Sequence, residues 1–210
     1  MDTKIALPKK RDCRVAGVIL AAGSSSRIGR VKQLLAFRET TVLGQVIENA
    51  AGSVLDTVIL VLGHGAEEIQ KVVRLEGVTM VMNEAHALGQ STSLRAGLSA
   101  VSAKTGGVMF ILGDQPLVGP DVMNSLIDGY SRTRAPIVLP THQGRRGNPV
   151  VIDRTLFARI ESLTGDLGAR VLFEEYAEAI VEIETEDDSI HFDLDTWDDY
   201  RNLLDREGSR

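Results

Sequence analysis

A chain of 210 residues, 43% of them hydrophobic and none in a low-complexity stretch, is long enough to bury a sizeable core and predicts one compact domain over 1–210, loosely held at 1–13 and 206–210. A net charge of −6 argues against nucleic acid as a partner, because duplex binding rests on neutralising phosphates with Lys and Arg, and the single cysteine, Cys13, leaves no internal disulfide and fits a reducing cytoplasm. No apolar run approaches the roughly 20 residues of a membrane span, and Met1 to Arg14 lacks the long apolar stretch of a signal peptide, so no membrane association and a cytoplasmic location are expected.

In chain order, the apolar run Val15 to Leu20 predicts a buried strand that breaks into Ala21-Ala22-Gly23-Ser24-Ser25-Ser26-Arg27-Ile28-Gly29-Arg30-Val31-Lys32. Thr41 caps a helix carrying Val42, Leu43, Val46, Ile47 and Ala50, and Gly52 ends it. Thr57 to Leu62 is a continuous apolar strand, Ala66 to Leu75 returns to helical spacing, and Val78 to Met82 is a strand again. Ser91 to Val101 repeats Leu94, Leu98 and Val101 on one helical face before the strand Val108 to Leu112. Pro120 opens a helix through Val122, Leu126 and Ile127, and Ile137 to Leu139 is a further strand. Strands that are apolar throughout and separated by helices indicate a parallel sheet covered on both faces.

Beyond Pro140 the pattern loosens. Thr141 to Pro149 reads as a polar loop, Val150 to Ile152 as a short strand, and Leu156 to Ile160 and Ala169 to Tyr176 as helices. Ala179 to Thr185 alternates as a half-exposed strand does, Ile190 to Leu194 reads as a last strand, and Thr196 caps a closing helix through Trp197, Tyr200 and Leu204.

Three constellations carry chemistry. The Gly/Ser loop after the first strand presents bare backbone N–H groups beside Arg27 and Lys32, which is a phosphate cradle; read blandly, it is an ordinary turn. It is not a Walker A loop, since Gly23 and Gly29 have five residues between them and Lys32 is not followed by Ser or Thr. Gly113-Asp114-Gln115-Pro116 sits where a strand ends, so Asp114 would point at the same crevice and suit Mg²⁺, a hard cation held by one or two carboxylates plus phosphate oxygens; alternatively it caps a loop. In Phe192-Asp193-Leu194-Asp195-Thr196 two carboxylates alternate along a strand end and face opposite ways. Asp195 would complete the metal site or assist Thr196 in capping, and the acidic run Glu182 to Asp188 reads as a solvated face. Gly63-His64-Gly65 resembles the opening of a dinucleotide fingerprint, but Glu68 stands at its third glycine position, and His64, His86, His142 and His191 have no metal-ligand spacing.

Leu20-Ala-Ala-Gly-Ser-x-Ser-Arg27-x-Gly29-x-x-Lys32-x-Leu-Leu together with Gly113-Asp-Gln-Pro116 resembles the MobA-like nucleotidyltransferases, and more closely their MocA-type molybdenum cofactor cytidylyltransferase branch. The resemblance runs across nearly the whole chain: Asn83 and Gly89-Gln-Ser-Thr-Ser93 are similar to the segment that holds the nucleoside, and Gly165-Asp166-Leu-Gly168-Ala-Arg170 and Asp193-x-Asp195-Thr to later motifs. It implies a three-layer α/β/α sandwich of the Rossmann-like nucleotidyltransferase type, mostly parallel with one antiparallel strand. It also implies that the loop from Leu20 and Ala21 to Ser26 wraps the phosphates, that Arg27 and Lys32 act on the triphosphate, and that Asn83, Ser91 and Ser93 contact ribose and base. Asp114, helped by Asp195 or Asp193, would bind Mg²⁺. The implied reaction moves CMP from CTP to the terminal phosphate of a molybdopterin cofactor, for delivery to a client molybdenum enzyme. Leu-Ala-Ala-Gly is similar to the cytidylyl form, where guanylyl members usually read Leu-Ala-Gly-Gly. The branch usually has Gly-His-Pro where this chain has Gly147-Asn148-Pro149, on the expected pterin side, and Asp-Thr-Pro where it has Asp195-Thr196-Trp197. Alternatives are transfer to another phosphorylated small molecule, a cofactor carrier or chaperone without turnover, and an oxidoreductase.

Overall fold

The computed structural model describes residues 14–25, 27–186 and 188–208. The expectations for 1–13 and for Ser26 lie outside them. In order come β1 (Val15–Ala21), a small hairpin of β2 (Ala36–Phe37) and β3 (Thr40–Thr41), α1 (Val42–Ala51), β4 (Thr57–Leu62), α2 (Ala66–Val72), β5 (Val78–Met82), α3 (Gln90–Ser99) and β6 (Gly107–Leu112). Then follow α4 (Pro120–Thr133), β7 (Ile137–His142), β8 (Arg145–Arg146), β9 (Val150–Asp153), α5 (Phe157–Glu161), α6 (Leu172–Glu175), β10 (Ile180–Glu184) and α7 (Trp197–Gly208).

The main sheet runs β10-β7-β9-β6-β1-β4-β5, with β8 attached to β7. β9 is antiparallel to both β6 and β7, and β8 to β7; the remaining neighbours in the main sheet are parallel. This is the mixed, mostly parallel sheet with helices on both faces that the resemblance implied. Successive side chains of a strand point to opposite faces. Thus Val15, Ile19 and Ala21 of β1 join Leu43 and Val46 of α1, Ile69 of α2 and Leu126 of α4 in one core. Ala16 and Val18 join Leu94 and Leu98 of α3, Ile160 of α5 and Leu172 of α6 in the other. No helix among the described residues is long and apolar enough to cross a membrane.

α1 begins where Thr41 Oγ1 accepts the Gly44 N–H at 3.0 Å, as expected of a capping threonine. α1 and α2 lead from β1 outward to β4 and β5 over one face, after which α3 crosses the other face and returns the chain to β6 on the far side of β1. The carboxyl ends of β1 and β6 therefore flank a switch point of the sheet, where such folds bind ligands. α3 lies very close to β1: a Cβ at Gly97 would stand 2.3 Å from Val18 Cγ1.

Two expectations at the end of the chain need correction. Ile190 to Leu194 is not a strand: Asp188–His191 is a 3₁₀ turn and irregular chain follows. Its period-2 apolar pattern arises because the residues serve separate clusters, Ile190 the first core, and Phe192 and Leu194 a third one with Ile28, Leu35, Phe37, Val42, Leu117 and Leu203. The loose end expected at 206–210 is helix as far as it is described: α7 continues to Gly208, with Arg206 paired to Asp188 at 3.1 Å and Arg38 to Glu207 at 2.8 Å, and 209 and 210 lie outside the described residues. Within the expected polar loop 141–149, β7 extends to His142 and turns into β8.

Candidate active site

At the switch point a cleft of about 940 Å³ is lined by the ends of β1 and β6, the start of α3, segment 166–173 and Asp193 and Asp195. β1 delivers Leu20, Ala22, Gly23 and Ser24 to this lining, whereas Ala21 turns into the first core. Gly23 and Ser24 are exposed, and the N–H groups of Gly23, Ser24 and Ser25 have no acceptor among the described residues. Such a run of bare N–H groups receives anions. Ser25 closes the loop: its carbonyl accepts the Ile28 and Gly29 N–H groups at 3.1 Å, and its Oγ accepts the Lys32 N–H and donates to Gln33 Oε1, each at 3.3 Å. Gly29 has a φ of +75°, a left-handed conformation that glycine adopts without steric cost.

This closure sets Lys32 at the cleft floor, its side chain 12% exposed, where Nζ donates to Asp114 Oδ2 at 2.5 Å and to Asp195 Oδ1 at 2.9 Å. Asp114 is held beside β1 because Gly113 extends the ladder, its N–H donating to the Leu20 carbonyl at 3.0 Å. The following loop is fixed from α1, where the buried Asn49 amide donates to the carbonyls of Pro116 and Val118, both at 2.9 Å. Asp195 Oδ2 accepts from Arg27 at 2.5 Å, so one carboxylate joins both predicted cations across more than 160 residues. Asp195 does not cap α7. Thr196 caps it as expected, its Oγ1 accepting the Asp199 N–H at 3.2 Å, and the assisting carboxylate is Asp199, which accepts from the N–H groups of Asp195 and Thr196. Asp193 and Asp195 do not face opposite ways either: without a strand there is no alternation, and both line the cleft.

Burial draws the Lys32 ammonium down, but the charges and hydrogen bonds of Asp114 and Asp195 reverse this and raise it above its ordinary value. The Lys32 hydrogen bond leads in holding Asp195 below the usual carboxylate range, with Arg27 adding to it. Asp193 moves the other way, pushed up by the surrounding cleft walls and then by the negative charges of Asp114 and Asp195, although the Gln115 amide donates to it at 2.8 Å. Asp114, Asp193 and Asp195 thus converge beside Lys32 and Arg27, and the charge of Arg170 also reaches Asp193. Among the described residues no three His, Cys, Asp or Glu side chains form a metal-holding group. The oxygen donors present fit Mg²⁺, which takes one or two carboxylates and completes its shell with phosphate oxygens.

At the other end of the cleft the nucleoside candidates separate. Gly89 and Ser93 line the cavity, but Asn83 and Ser91 lie buried behind it. The Asn83 amide donates to Thr92 Oγ1 at 2.8 Å and Ser93 Oγ at 3.0 Å, so it braces the wall from within. Gly63 and Gly65 serve packing: a Cβ at 63 would collide with His86 and Ala22, and one at 65 with Val31. Asn148, expected on the pterin side, lines the cleft, whereas sequence reasoning missed His86 and Phe173 in the lining and Asn49 behind Asp114. Asn49 left one signal, a polar residue beside Ala50 on the buried side of an amphipathic helix.

Known proteins share the family and the fold. The MobA-like NTP transferase domain model matches residues 17–180. The chain is 32% identical over 202 residues to nicotine blue oxidoreductase of Paenarthrobacter nicotinovorans, covering 90% of this chain and 96% of that protein. It is 28% identical over 193 residues to molybdenum cofactor cytidylyltransferase of Escherichia coli K12, covering 90% and 95%. Among solved structures, Rv0371c of Mycobacterium tuberculosis H37Rv in complex with manganese superposes with a TM-score of 0.81 at 34% identity, covering 91% of this chain and 98% of that one. A nucleotidyl transferase of Methanothermobacter shares the fold at a TM-score of 0.80 and 19% identity, covering 92% and 97%. The chain belongs to the MobA-like NTP transferase family and is a nucleotidyltransferase.

Proposed function

We propose that the chain, acting as one nucleotidyltransferase domain, moves CMP from CTP to the terminal phosphate of a molybdopterin-type acceptor with release of pyrophosphate. The observation that carries this is Lys32, held between Asp114 and Asp195 beside a loop of bare N–H groups. A triphosphate on Gly23, Ser24 and Ser25 would draw Lys32 and Arg27 from their carboxylates onto its oxygens, where their charge offsets what gathers on the leaving pyrophosphate. Asp114, with Asp193 or Asp195, would hold Mg²⁺, which supplies further neutralisation of the phosphate oxygens. The acceptor phosphate is already an anion, so the chain's task is alignment of the two phosphates and exclusion of water, with no general base and no covalent enzyme intermediate. Gly89 and Ser93 border the nucleoside end, and Asn83 keeps Ser93 in register. Support for cytidine comes from Ala22 in the lining and from the cytidylyltransferase relative at 28% identity.

Mixing the protein with Mg²⁺, molybdopterin cofactor and each of CTP, GTP and ATP tests the proposal through pyrophosphate release. Release with CTP alone is expected. Release only with another phosphorylated acceptor would move the substrate, and tight cofactor binding without release would leave a carrier. An oxidoreductase is the second reading, favoured by the relative at 32% identity, and NAD(P)H oxidation in the same mixtures would support it.

A further inference from the structure

We infer that Arg170 forms the subsite that holds the acceptor's phosphate. The inference rests on the nucleotidyl-transfer reading above. That reaction brings two anions together: a non-bonding pair on an acceptor phosphate oxygen forms a new bond to the α-phosphorus, the bond from that phosphorus to the β-bridging oxygen breaks, and its electron pair leaves with pyrophosphate. No proton need move, but each anion needs a cation of its own. Of the Lys and Arg residues, Lys32 and Arg170 line the cleft. Lys32 stands among the loop and its carboxylates; Arg170 comes from the 3₁₀ turn Ala169–Val171, and its guanidinium has no hydrogen bond or ion pair among the described residues. It lines the same cleft as Lys32, Asp114 and Asp193.

The segment that carries Arg170 is seated for positioning. The Gly165 carbonyl accepts the Ser91 N–H at 3.1 Å, and a Cβ at Gly89 would fall 2.3 Å from the Gly165 carbonyl carbon. A Cβ at Gly168 would stand 2.6 Å from Gln90 Oε1. Leu163 before the segment and Leu172 after it are buried in the second core. Arg170 is thus an exposed side chain on a seated turn, and its planar fork of donors matches a phosphomonoester. Phe110, Val150 and Phe173 of the same core also line the cleft, so the phosphate's substituent meets an apolar surface.

Calorimetric titration of phenyl phosphate into protein saturated with Mg²⁺ and a non-hydrolysable α,β-methylene CTP tests the subsite. The wild type should bind it, Arg170→Ala should weaken it at least about tenfold, as loss of a charge-assisted hydrogen bond does, and Arg170→Lys should lie between. The Kd of the CTP analogue should be unchanged in both variants, and so should the melting temperature, since Arg170 is exposed. Equal phenyl phosphate binding by Arg170→Ala, a parallel loss of the CTP analogue, or a wild type that takes the analogue but not phenyl phosphate would each overturn the subsite. A wild type that fails to bind the CTP analogue would sink the nucleotidyl-transfer reading itself, and the subsite with it.

Discussion

Lys32 reaches its place through a short turn rather than a regular element, and its environment keeps it charged. With a side chain 12% exposed it would lose proton affinity by burial, yet Asp114 and Asp195 more than restore it. In the proposed transfer, a cation so fixed would stabilise charge that develops on the phosphates without having to be organised at the moment of reaction. Replacing Lys32 with Ala, or Asp114 with Ala, should lower the rate of pyrophosphate release by about 100-fold or more; near wild-type rates in either variant would remove both from the catalytic machinery. The two were legible in the sequence because each follows an apolar run that ends at the same edge of a parallel sheet. Asn49 and Arg170 were not legible in role. Asn49 acts through two carbonyls nearly 70 residues away, and Arg170 faces the cleft only because Gly89 and Gly168 let its segment settle on α3.

Among the elements, β9 is the strand whose direction no pattern could reveal. Val150 to Ile152 is buried on both faces, and a run apolar throughout reads alike in either direction. Its antiparallel entry between β6 and β7 is secured at the end by α4, where the fully buried Tyr130 hydroxyl donates within 2.6 Å of the Gly106 carbonyl and 2.7 Å of Asp153 Oδ2. Burial, reinforced by Asp153, holds the phenol's pKa above its ordinary value. The folded state therefore binds this proton more tightly than the unfolded chain, so the stabilisation is complete below pH about 10 and is lost as pH rises beyond it. Tyr130→Phe should cost about 2 kcal/mol at neutral pH, the worth of a hydrogen bond to a charged group, and should flatten the alkaline decline. Urea midpoints at neutral and alkaline pH check both, and an unaltered alkaline slope would show that Tyr130 is not the group responsible. Strands β1, β4 and β6 were read correctly because double burial leaves continuous apolar runs. The stretch 190–194 was misread because two clusters, each drawing on alternate residues, imitate a strand.

At the scale of the whole molecule, the three apolar clusters found among the described residues differ in size and in what they support. The cluster under the site has seven buried members, against twenty-six and sixteen for the two faces of the sheet. Yet it seats the loop through Ile28, the hairpin through Phe37 and the carboxylate-bearing tail through Leu194 and Leu203. Regions with fewer buried contacts open at lower free energy than the main core. Binding of the CTP analogue should accordingly be lost on heating before the far-ultraviolet dichroism of the sheet, and Leu203→Ala should widen the gap; coincident curves in both proteins would show one cooperative unit.

The close approach of α3 to β1 through Gly97 gives the cleft a fixed gauge. The carboxyl end of β1 presents Gly23 and Ser24, the amino end of α3 presents Gly89 and Ser93, and at Gly97 the α3 backbone rests directly on the Val18 side chain of β1. In the proposed reaction, the distance from the loop that would cradle the phosphates to the wall at Gly89 and Ser93 is thereby set by two packed elements and not by the loops themselves. A ligand is measured along its length before any single group is recognised, and even one methyl at position 97 would wedge the elements apart and reset the measure.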